Sequence, residues 1–200
     1  MVTQRSRTLK TLATLQVLFL TICSLSASTA RATSVIEVSF TDLITQAEVI
    51  AVGTVTDIRE HWDAEKRAPF TLVTFSNLTV VKGSPGNSFT LEFLGGKMPN
   101  GLVMTIPGVP QFVVGEKAVV FCAGNRRDFC PLVGIWQGVL RVMDDPQRKI
   151  ETVSDNFRVP IIGIEGGKLV KRSPATVTQP PLSLSALLQT IQQTLSSSSH

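Results

Sequence analysis

Two groups of residues in this 200-residue chain have the types and spacing to do chemistry. Cys122 and Cys130 stand eight positions apart in "FCAGNRRDFC", each after a phenylalanine. A cysteine pair can hold a metal, exchange electrons, or close a disulfide. A metal site needs further Cys or His close by, and "AGNRRD" supplies none. A redox dithiol is normally spaced C-x-x-C, which this pair is not. The spacing suits a hairpin instead. Positions 122 and 130 are symmetric about Arg126, and Gly124, Asn125 and Asp128 are turn-forming residues. The expectation is a Cys122–Cys130 staple, contributing about 2–3 kcal/mol by restricting the unfolded chain.

The second group is "EHWDAE", which gathers Glu60, His61, Asp63 and Glu65. Imidazole and carboxylate suit a divalent cation. Glu60, His61 and Asp63 are therefore the candidate ligands of a metal-dependent hydrolase centred on His61. The alternative is a solvated loop after a strand. His200 is the other histidine and ends a serine tail. There is no G-x-S-x-G, H-E-x-x-H or phosphate-binding loop motif. The balance favours a protein that is not an enzyme and takes no cofactor.

Which thiol chemistry applies depends on the compartment. Arg5, Arg7 and Lys10 precede the apolar run "TLATLQVLFLTIC" and then small residues with Ala30 and Ala32 spaced A-x-A. That layout predicts a secretory signal peptide over 1–32. The apolar run is shorter than the roughly 20 residues that span a bilayer, so the cleaved chain is expected not to cross a membrane. The expected location is secreted or periplasmic, where disulfides persist. Of nineteen Lys and Arg, four fall in 1–32 (Arg5, Arg7, Lys10 and Arg31), leaving fifteen against fifteen Asp and Glu. A neutral chain lacks the basic stripe of a nucleic-acid binder.

The elements that would position these residues read as mainly β. A short helix in "SFTDLITQAEV", capped by Ser39 or Thr41, leads into "EVIAVGTVTDIRE", a strand bent at Gly53. "HWDAEKRAP" reads as a polar loop. In "FTLVTFSNLTVVKG" the apolar phase slips by one residue, predicting a β-bulge near Ser76–Asn77. "SFTLEFLGG" alternates with Phe89, Leu91 and Phe93 inward. "KAVVFC" is a fourth strand. A fifth starts at "FCPLVG" and runs through "IWQGVLRVM", and "RKIETV" returns antiparallel. "VPIIGIEGGKLVKR" forms a hairpin across Gly166–Gly167. The expected architecture is an OB-like closed five-stranded β-barrel over 33–172. A Pro/Thr/Ser linker over 173–182, an amphipathic helix over 183–195 and a tail over 196–200 follow.

The order "QAEVIAVGTV", "VVKG", "GEKAVVFCAG" resembles the inhibitory domain of the tissue inhibitors of metalloproteinases, a netrin-type OB-fold. The resemblance covers about residues 36–145. A similar skeleton occurs in uncharacterised secreted bacterial proteins. It implies an OB-fold and a habit of binding other proteins. The inhibitors chelate the protease zinc through an N-terminal Cys-x-Cys. After "TSVIEVSF" there is no cysteine before Cys122, so that mechanism is not implied.

"NGLVMTIPGVPQF" is the surface to watch. Val103, Met104, Ile106, Val109 and Phe112 crowd into a Gly/Pro-rich loop, where exposing them together is costly. Either the loop plugs one end of the barrel or it docks a protein. The same choice holds for the C-terminal helix. Trp62 and Trp136 are the candidate platforms if the module instead binds carbohydrate or cell envelope. The expected function is a secreted, non-enzymatic module that binds an extracellular protein through its mature N-terminal segment and the 99–112 loop, inhibitor-like toward a peptidase in its narrowest form.

Overall fold

The computed structural model describes residues 36–197. The expected signal peptide and the last three residues of the tail lie outside them.

Helix α1 (Phe40–Gln46) begins where Ser39 Oγ accepts from Asp42 N at 3.0 Å. This satisfies one of the amides a helix start leaves free. At the other end, Lys82 Nζ donates to the carbonyls of Ile44 (2.9 Å) and Thr45 (3.0 Å). A cation on the last carbonyls also opposes the helix dipole.

Strands β1 (Val49–Asp63) and β2 (Ala68–Lys82) form a long antiparallel hairpin. The expected polar loop is shorter than the sequence suggests: His61, Trp62 and Asp63 belong to β1, and four residues make the turn. Asp63 Oδ1 accepts from Glu65 N and Lys66 N, both at 2.9 Å, which is turn chemistry. The bend at Gly53 and the predicted bulge are one feature. Val52 pairs with Thr79 and Thr54 with Ser76, so β2 carries an extra residue opposite Gly53. Asn77 takes it up with φ +53°. A Cβ on Gly53 would lie 2.7 Å from Leu78 Cδ2, so glycine is what lets the bulged strand approach.

The main sheet has six antiparallel strands in the order β3 (Phe89–Leu94), β2, β1, β6 (Lys117–Cys122), β7 (Val139–Asp145), β8 (Ile150–Ser154). Between β3 and β6 lies a two-stranded pair, β4 (Gly96–Lys97) and β5 (Val103–Met104). β9 (Ile161–Glu165) and β10 (Lys168–Lys171) form the hairpin expected across Gly166–Gly167. The expected fifth strand is interrupted: only Leu132 bridges β6, a 3-10 turn occupies Ile135–Gly138, and β7 starts at Val139.

Strand pairing leaves the sheet open, and no closed barrel is found among the described residues. Both edges are nevertheless covered by the chain itself. On β3, Leu94 N donates to Phe129 O (2.8 Å), Glu92 N to Asn125 Oδ1 (3.1 Å), and Asn125 Nδ2 to Thr90 O (2.9 Å). On β8, Thr152 bridges Ser183, Ser154 bridges Pro160, and Val153 N donates to Leu182 O. Covering its edges keeps a sheet from templating another chain.

Apolar side chains collect in two clusters on opposite faces. One holds α1 residues Phe40, Leu43 and Ile44 with Ile50, Val119, Phe121 and Leu140. Helix α2 (Leu184–Ser197) joins it through Leu184, Leu187 and Ile191, so its apolar stripe is used internally. The expected linker is docked as well: Leu182 N donates to Ile161 O at 2.7 Å. The other cluster holds Val55, Val73, Phe75, Leu91, Phe93, Ala118 and Val120. No described helix is long and apolar enough to cross a membrane.

Candidate functional site

The segment from Met98 to Glu116 is built from its own turns and then clamped from below. Met98 N donates to Leu102 O (2.8 Å) and Gly101 N to Met98 O (2.9 Å), closing the β4–β5 hairpin. Further on, Phe112 turns inward. Its ring meets Phe75 edge-on at 5.4 Å and Phe93 at 5.6 Å. Gly108 admits Trp136 against the loop, since a Cβ there would lie 2.6 Å from Trp136 Cζ3. Trp136 is therefore packed between this loop and Phe157, whose ring it meets at 6.3 Å.

Arg141 fixes the far end. It is 3 % exposed. Its Nη1 donates to Glu116 Oε2 (2.6 Å), and Nη2 donates to Gln111 O (2.8 Å) and Asn156 Oδ1 (2.7 Å). The guanidinium also lies 4.6 Å from the centre of the Phe112 ring. Burial pulls its pKa down from the ordinary arginine range, and the Glu116 charge opposes that shift. Arginine suits the place because its planar fork can serve several acceptors and stack on a ring at once. The sequence reading did not single it out. The available signal was one arginine in the apolar run "VLRVM".

The five expected contact residues divide. Val103 points outward at 66 % exposure, while Met104, Ile106, Val109 and Phe112 are half-buried. Three neighbours that the sequence reading passed over as contacts are outward too: Leu102 at 62 %, Val113 at 63 % and Val114 at 58 %. The loop both plugs the sheet and presents apolar side chains. Beneath it lies a cavity of about 120 Å³.

The candidate metal ligands are not gathered. Strand alternation sends Glu60 and His61 to opposite faces. Glu60 lines the cavity, whereas His61 lies edge-on to Phe70 at 6.0 Å. Asp63 is held by the turn, and the Lys66 amide lowers its pKa first among its causes. Among the described residues no three His, Cys, Asp or Glu side chains are placed to share a metal ion.

Cys122 and Cys130 are buried and not bonded to each other in this structure. The hairpin register differs from the expected one. Cys122 lies opposite Leu132, and Val133 N donates to Phe121 O at 2.9 Å, so the turn is centred one residue beyond Arg126. Both thiols still belong to one apolar cluster. Burial pushes the Cys122 thiol far up, with Cys130 and Glu48 adding to it. Burial also pushes Cys130 up to about 11, against a backbone hydrogen bond at Leu132. Such thiols stay protonated at neutral pH and make poor nucleophiles.

No protein-family model matches the chain, and neither a curated protein nor a solved structure matches it.

Proposed function

We propose that the chain is an exported, OB-like module that binds another protein through the outer face of the 98–116 segment. One observation carries this reading. Leu102, Val103, Val113 and Val114 are solvent-facing on a segment anchored from beneath through Phe112, Trp136 and Arg141. Rigid backbone beneath outward apolar side chains lowers the ordering cost of docking. The strand order β3-β2-β1-β6-β7, with β1 shared between two sets of pairings, supports the OB-like part. Because both edges of the main sheet are covered, docking falls to side chains rather than to strand addition. An extracellular peptidase is the narrowest form of the partner.

The test is capture from the native extracellular fraction with the wild type and with Leu102→Asp/Val103→Asp. Both residues are outward, so the variant is expected to fold. A partner retained by the wild type and lost by the variant is the expected result. Retention indifferent to the variant, or no retained protein at all, overturns the reading.

A further inference from the structure

The cavity beneath the loop has a chemistry of its own. Its 120 Å³ is a little below the roughly 150 Å³ that admits a benzene-sized guest into a protein interior. The walls are mixed, apolar at Ile58, Val73, Phe93, Met104 and Ile106 and polar at Thr71, Thr105 and Gln111. Glu60 is the one ionisable residue lining it, and no Lys, Arg or His does so.

Glu60 faces Thr71 across the β1–β2 ladder. Its Oε1 lies 3.4 Å from where a Cβ on Gly96 would sit, and Thr71 Oγ1 lies 3.2 Å from the same point. The glycine therefore keeps that corner open beside the carboxylate. The Thr71 hydroxyl is already committed, donating to Gly95 O at 2.9 Å. Among the described residues nothing donates to the Glu60 carboxylate. Glu60 is exposed, and its free carboxylate beside the apolar part of the lining suits a guest with a cationic donor at one end and hydrocarbon at the other.

We propose that this cavity binds a primary ammonium group on a short unbranched apolar stem, with the ammonium on Glu60 and the stem against Ile58, Phe93 and Met104. The volume limits the stem to about the size of a butyl chain. A free alkylamine and a lysine side chain share this chemistry. The site lies under the loop and shares only Val103 with its outer face, so it goes beyond the docking reading, and Glu60→Gln tests it separately.

The test uses the full chain labelled with nitrogen-15, titrated at pH 7 with n-butylammonium chloride, n-butanol and Nα-acetyl-lysine methylamide. Saturable shifts are expected at the amides of Thr71, Gly95, Gly96 and Thr105. Butylammonium should bind at least about tenfold more tightly than butanol, the scale of one charge-assisted hydrogen bond. Glu60→Gln should abolish that preference while leaving the unfolding midpoint unchanged, because the carboxylate makes no internal bond. Ile106→Phe, which fills the hollow from the loop side, should abolish the binding of amine and alcohol alike. A lysine analogue that matches butylammonium assigns the site to a partner's side chain, and one that binds more weakly assigns it to a free amine. Equal affinity for butanol and butylammonium, shifts elsewhere on the surface, or indifference to Glu60→Gln overturns the proposal.

Discussion

Arg141 donates to Glu116 at 2.6 Å in a contact almost closed to water, the two side chains being 4 % and 11 % exposed. Glu116 also receives Arg158 Nη2 at 3.3 Å, and that arginine is largely solvated. The buried half of this triad ties β7 to the loop that precedes β6.

Removing one partner of a buried pair leaves the other charge uncompensated, which typically costs about 3–5 kcal/mol. Arg141→Met is expected near the lower end, about 3 kcal/mol, because Arg158 still neutralises Glu116. Arg141→Met/Glu116→Gln is expected to cost clearly less than the two single changes together. Urea denaturation of the three variants checks both statements.

Gly53 has no room for a methyl group: its Cβ would meet Leu78 Cδ2 at 2.7 Å and Phe75 Cβ at 3.2 Å. Gly53→Ala is expected to destabilise by about 1–3 kcal/mol through overpacking. Gly53→Ala/Leu78→Ala should fall short of the sum of the two single costs, since the second change makes space for the first. Thermal unfolding of the set decides it.

Asn125 stands in for a neighbouring strand on the edge of β3. Asn125→Ala removes a donor and an acceptor there, an expected loss of about 1–2 kcal/mol. The effect should be local. Hydrogen exchange at the Glu92 amide is expected to accelerate much more than at Leu91. Equal acceleration at both positions would mean that Asn125 supports the whole sheet instead.

The reduced thiols give a signed pH dependence. Cys130 is raised to about 11 from an ordinary value near 9, so stability is full below about pH 9 and falls as pH rises toward 11. In that window the unfolded chain loses the proton that the folded chain keeps. The loss from Cys130 is on the order of 2 kcal/mol by pH 11. It should disappear in Cys122→Ala/Cys130→Ala, measured by urea denaturation in reductant. Intact mass of protein purified without reductant tests the staple: a disulfide is 2 Da lighter than two thiols, and the disulfide form should show no such pH loss.

Much of the fold was legible because period-2 patterning and turn residues are local properties. The one-residue slip between Phe75 and Leu78 located the bulge, and Gly166–Gly167 located a hairpin. What failed was long-range. The sequence could not say that β1 would carry His61 and Asp63 onto a paired strand and so separate His61 from Glu60. Nor could spacing alone fix a hairpin register, and Cys122 came to rest opposite Leu132. The loop's apolar character was readable, but its division into Phe112 inward and Val113 outward depends on a ring pocket assembled from β2 and β3.

The way β6 is shared has a further consequence. Val119 and Phe121 belong to one apolar cluster and Ala118, Val120 and Cys122 to the other, within one six-residue strand. Neither cluster can be dismantled while the other stays whole, because the same backbone carries both. The clusters therefore share one fate: residues 36–197 should unfold in a single step with no half-folded species, and a protease should find either the intact fold or none of it. For a chain proposed to work outside the cell, that all-or-none character would keep partly open forms scarce where no chaperone is at hand.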